Sequence, residues 1–115
     1  MFEVNGVQLN LDIAEADDMG RLEEANVIAA ELKDLSSETG KEVILKSCGI
    51  VNRYIVTLFG EEAAQKICGE SKNMLSHLDW YEVIVDEVKR QSDLIVARTR
   101  KNAEKANRAQ RRAKK

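Results

Sequence analysis

Proline is absent from the 115 residues, so nothing in the chain is barred from a helix by a locked φ or a missing N–H. Aromatics are scarce too, with two Phe, two Tyr and one Trp, which argues against a strand-rich fold. No apolar run approaches the roughly 18 residues of a membrane span, so none is expected. The opening Met1-Phe-Glu-Val-Asn5 shows neither a basic leader nor an apolar stretch, and no secretory signal is expected.

Groups that do chemistry are equally thin. His77 is the sole histidine and is expected to be a partly exposed structural residue near the start of the last helix. Its sharper alternative, a dyad with Cys48 or Cys68, has no spacing to argue for it. The two cysteines fall inside helical apolar patterns and read as buried free thiols; a disulfide or redox pair is the other reading, and a metal site lacks partners. The pairs Asp17-Asp18, Glu23-Glu24 and Glu61-Glu62 are adjacent, so their members diverge on a helix and suit solvent or the N-terminal dipole. The six glycines are dispersed as turn and cap residues, with no phosphate loop among them. A non-enzyme without cofactors is the expectation.

What the chain does have is apolar periodicity. Lys41 to Phe59 carries Ile44, Cys48, Val51, Ile55 and Leu58 in alternating steps of four and three, with Val43, Ile50 and Tyr54 beside them. A helix apolar around most of its circumference is a buried one, and only Lys41, Glu42, Lys46 and Arg53 look committed to water. Before it, Phe2 to Ile13 reads as a hairpin: Asn5-Gly6 suits a type I′ turn, and Val7, Leu9, Leu11 and Ile13 alternate. Ala16 to Leu35 is expected to be one helix capped by Asp17 or Asp18, with Leu22, Ala25, Ala29, Leu32 and Leu35 on its inner face, widened by Val27 and Ile28. Ser36 to Gly40 breaks it, and Thr39 with Glu42 makes a capping box for the central helix.

Gly60 ends the central helix, and Glu61 to Cys68 forms a short third one closed by Gly69. Ser71 or Asn73 caps the last helix, whose expected core positions are Met74, Leu78, Tyr81, Val85 and Val88. Leu94 and Ile95 continue it after a polar interruption at Arg90 to Asp93. The fold class is thus mainly α: a small four-helix domain, residues 1–97, with an N-terminal β-hairpin and a basic C-terminal helical extension, residues 98–115.

Charge divides along the same line. Residues 98–115 hold nine Arg and Lys against Glu104, a net of +8; residues 1–97 hold nine against nineteen Asp and Glu, a net of −10. The cations are Arg98, Arg100, Lys101, Lys105, Arg108, Arg111, Arg112, Lys114 and Lys115. Beyond Ala97 no apolar side chain exceeds alanine, so this extension is expected to be frayed or free. It reads as a solvated end, as a dock for an acidic protein or another copy of the chain, or as a nucleic-acid contact. Against the last, it has no aromatic to stack a base and the body is acidic. Trp80, Ile84, Leu94, Ile95 and Val96 are apolar residues in excess on the last helix, available to a partner helix, to the core, or to a self-association seam.

The order of signals resembles a known family. Phe2-x-Val-Asn-Gly-x-x-x-x-Leu11 leads into an acidic helix, followed by Leu58-Phe-Gly-Glu-Glu-Ala-Ala-Gln-Lys-Ile-Cys-Gly69, Asn73-Met-Leu and Trp80-Tyr-Glu. The ending Arg108-Ala-Gln-Arg-Arg-Ala recurs in small phage proteins. Over residues 2 to about 90 the chain resembles the tail assembly chaperones of phages and prophages of Gram-positive bacteria. The resemblance implies a non-enzymatic helper in the bacterial host cytoplasm that binds the tape measure protein, keeps it from aggregating, and helps recruit tail tube protein. It also implies absence from the finished virion and, in many relatives, a second length made by frameshifting.

Overall fold

The computed structural model describes residues 1–35 and 39–113. The expected break at Ser36 to Glu38 and the cations Lys114 and Lys115 lie outside the described residues. Strands β1 (Phe2–Val4) and β2 (Val7–Leu9) precede helices α1 (Ala16–Ala29), α2 (Lys41–Phe59), α3 (Glu61–Cys68) and α4 (Met74–Ala113), with a 3₁₀ segment, Ala30–Leu35, after α1. The fold is mainly α with an N-terminal antiparallel hairpin.

The hairpin forms as its turn chemistry requires. Val4 pairs with Val7 across Asn5 and Gly6, both at positive φ (48° and 79°). Asn5 also donates its side-chain amide to the carbonyl of Ile67 at 2.8 Å, which ties the turn to the end of α3. Val4, Leu9, Leu11 and Ile13 are buried, so the alternation continues past β2 onto the helices.

Helix α2 is the centre of the core. Val51 and Ile55 are fully buried and Tyr54 and Leu58 nearly so, in one cluster with residues of α1, α3, the hairpin and Ile84 of α4. Val43, Cys48 and Ile50 are buried as well. Edge-to-face contacts join Tyr54 to Tyr81 at 5.0 Å and Phe2 to Phe59 at 6.0 Å. Ile44 departs from the expectation. It shares the face of Val51 and Ile55 but lies in the first turn of α2, where Val43 is the buried residue and Ile44 and Leu45 are exposed.

The first helix is shorter than its pattern suggested. The α-helix stops at Ala29 and the chain tightens into the 3₁₀ segment. Ala29, Leu32 and Leu35 step by three, the period of a 3₁₀ helix, and this winding keeps Leu32 and Leu35 partly buried together. Val27 projects from the opposite side of α1 and is exposed, so it does not widen the inner face. Neither Asp17 nor Asp18 caps α1. Glu15 holds the cap position without a side-chain bond, while the Asp18 carboxylate accepts the Asp12 N–H at 2.8 Å and fixes the incoming loop. The Thr39–Glu42 capping box is not formed either. Gly40 is the N-cap, at φ 110°, so Glu42 falls one position short of where a box needs it.

Asn73 does cap α4, its side-chain oxygen accepting the Ser76 N–H at 2.9 Å. Of the expected core positions, Leu78, Tyr81 and Val88 pack against the core and Met74 is partly buried. The fully buried positions of α4 are His77 and Ile84, and Ile84 takes the place expected of Val85. Val85 is therefore exposed.

Burial also sets a pH response. Desolvation pushes the Cys68 thiol up to about 11, with Cys48 nearby adding to it, and raises Tyr54 well above an ordinary phenol, with Tyr81 adding to it. A raised folded pKa gives stability that is complete below the unfolded value and is lost as pH climbs to the folded one. Stability should thus hold to about pH 9 and then decline. Melting midpoints taken from pH 7 to 11 check this, with a fall of several degrees expected above pH 9.

Candidate functional site

The structure concentrates its unusual features on α4, which at 40 residues is much longer than the body it packs on. At about 1.5 Å per residue it spans roughly 60 Å, against extents of 69 × 31 × 19 Å for the whole chain.

Its first half is anchored. His77 is buried at 2% exposure, which corrects the expectation of a partly exposed residue: it occupies the core stripe one turn before Tyr81. Its Nδ1 lies 2.8 Å from the Asn73 carbonyl, an acceptor, so that nitrogen carries the proton; Trp80 packs against the ring at 4.8 Å. Ile84 is fully buried in the core cluster, so it is packing and cannot meet a partner, contrary to its place among the candidate contact residues.

The last anchor is Gln91. Its side-chain amide donates to the Leu11 carbonyl at 2.7 Å, and its oxygen accepts the Ile13 N–H at 3.0 Å. One side chain thereby bonds two backbone groups of the segment that leaves the hairpin. The polar run Arg90 to Asp93 had read as an interruption; in the fold it is where α4 clasps that segment. Gln91 sits on the heptad line of Ile84, but its partners are 78 and 80 residues away in the sequence, so the pattern alone did not disclose the clasp. Glu87 supports the clasp, accepting from Gln91 at 3.3 Å and from Arg90 at 3.0 Å, and the Arg90 bond holds its carboxyl below the usual range.

Beyond Gln91 every described residue of α4 is exposed. Leu94 (58%), Ile95 (37%) and Val96 (45%) stand on successive sides of the helix where it leaves the body. Leu94 and Ile95 also border a shallow hollow of about 300 Å³ shared with Met1, Leu11 and Ala14. Trp80 is partly buried. The arm beyond is a continuous helix through Ala113, with Arg98, Arg100, Lys101, Lys105, Arg108, Arg111 and Arg112 exposed and in no ion pair among the described residues. Removing residues 98–115 should therefore leave the melting midpoint, measured at high salt, nearly unchanged; a large drop would mean that the arm packs on the body.

The family described as Family of unknown function (DUF6673) matches residues 5–115, body and arm together. The chain belongs to it. No curated protein and no solved structure matches this member of DUF6673.

Other parts of the molecule offer little reactive chemistry. Cys48 and Cys68 are free and buried, and burial raises both thiols, which leaves them protonated and weakly nucleophilic near neutral pH. Among the described residues no group of three His, Cys, Asp or Glu is placed to hold a metal ion. No described helix is long and apolar enough to cross a membrane.

Proposed function

We propose that the protein is a phage tail assembly chaperone, acting in the host cytoplasm through protein contacts and without catalysis. Its client is the tape measure protein, whose apolar helical surface it shields while tail tube protein is recruited. The supporting observation is the collar of Leu94, Ile95 and Val96, left exposed where α4 leaves the body, while Trp80, about four turns earlier, is only partly buried. A helix that must be kept soluble needs an apolar strip to lie on, and a rigid helical strip binds without first being ordered. The resemblance of Phe2 to Leu11 and Leu58 to Gly69 to the chaperone family points the same way.

Co-expression with the tape measure protein of the same gene cluster tests the reading. Co-purification is expected, with the tape measure protein insoluble when made alone. A tape measure protein that is soluble by itself and does not associate would remove the proposal.

A second reading has one observation in its favour: the arm presents seven described cations on an exposed helix. A small nucleic-acid-binding accessory protein would use it so. Retention on DNA or RNA that falls linearly in log salt, and is lost without residues 98–115, distinguishes this reading from the first.

A further inference from the structure

Helix α4 separates its charges by halves. On the anchored half Asp79, Glu82 and Asp86 are exposed, and Asp93 follows just past Gln91; at spacings of three, four and seven they lie on one outward line. None of them has an ion pair among the described residues, and Lys89 is the only cation interleaved with them whose charge Glu87 does not already take up. Like charges three and four apart on a helix repel. The free half carries the opposite sign, from Arg98 to Arg112, again without partners among the described residues.

A helix that is anionic along one half and cationic along the other complements itself when a second copy lies antiparallel to it. A parallel pair would set like charges together. We propose that two copies of this chain form a dimer through α4, side by side and antiparallel, with the cationic arm of each along the anionic outer line of the other. The two-fold axis passes beside Ile95 and Val96, midway along the run from Asp79 to Arg112. The exposed collar falls there, so the seam gains apolar contact at its centre and ion pairs toward both ends. Contact of this kind is isologous and closes at two copies. It does not depend on the chaperone reading, although Leu94 and Val96 would serve both surfaces, so a client helix and a second copy would exclude one another there.

Sedimentation of the full chain at low and high salt tests the dimer, since exposed pairs are screened as the Debye length shrinks. The expected result is a mass of twice 12.9 kDa at low salt, falling to one chain at high salt. A variant with Lys105→Glu, Arg108→Glu and Arg112→Glu should be a monomer at low salt, and so should one with Asp79→Lys, Glu82→Lys and Asp86→Lys. Both sets are exposed, so circular dichroism should show both variants folded. Mixing the two should restore a species of two chains. A wild-type monomer at low salt, a dimer indifferent to either reversal, or a mixture that stays monomeric would each overturn the proposal. So would association that requires added nucleic acid.

Discussion

Ile55→Asp should abolish the fold. Ile55 is fully buried in the middle of α2, within a cluster that draws on the hairpin and all four helices. A carboxylate there has no partner, and it must either desolvate its charge or take up a proton at a strongly raised pKa. The cost is about 5 kcal/mol or more, comparable with the whole stability of many domains, roughly 5–15 kcal/mol. Circular dichroism on heating should show no cooperative transition. Ile55→Ala gives the graded version, folded but weakened by about 2–5 kcal/mol from the cavity it leaves. An Asp variant that stays soluble and melts cooperatively near the wild-type midpoint would contradict the central position of α2.

Gln91→Ala should be the most damaging change to a polar residue of α4. It would strip the partners from the Leu11 carbonyl and the Ile13 N–H, both in a partly buried setting. Leaving each such group unsatisfied costs about 1–3 kcal/mol, so a loss of roughly 2–4 kcal/mol is expected, part of it recovered by water. Gln91→Glu separates bonding from packing. Its carboxylate can still accept from Ile13 but cannot donate to Leu11, so it should also destabilise. Chemical denaturation measures both, and hydrogen exchange should show residues 11–13 opening first. A change below about 0.5 kcal/mol for Gln91→Ala would place the residue among ordinary surface positions.

These two residues mark what the sequence disclosed and what it withheld. Ile55 was legible because local rules and global packing agree: the four-and-three steps of α2 are the core. The same agreement made the Asn5-Gly6 hairpin, the breaks at Gly60 and Gly69 and the Asn73 cap readable, since each depends on chemistry within a few residues. Gln91 was not legible. Its role depends on backbone groups 78 and 80 residues away, and a polar residue on an apolar stripe looks like a gap until its partner is in place.

At one position the reading of α4 failed for a related reason, while Leu78, Tyr81 and Val88 pack on the core as expected. Val85 and Ile84 are neighbours, each compatible with an apolar stripe, and only packing on the hairpin and α2 decides that Ile84 points inward. His77 went with that register, because the line that buries Ile84 buries His77 too. In the first helix the three-residue steps at Ala29, Leu32 and Leu35 were visible, but a pattern compatible with an α-helix hid the tighter winding. At the candidate site, the free basic arm was readable from its lack of large apolar side chains. The exposure of Leu94, Ile95 and Val96 was not, because it follows from where the body ends along α4.

The central claim is that this emerging stretch of α4 is the working surface. Leu94→Glu with Val96→Glu tests it most directly, in co-expression with the tape measure protein of the same cluster. Both side chains are exposed, so the variant should melt as the wild type does. The account predicts that the tape measure protein stays soluble and co-purifies with the wild type, and precipitates beside the variant. Equal capture by the two proteins would contradict it, and would move the search for the working surface to another face of the body.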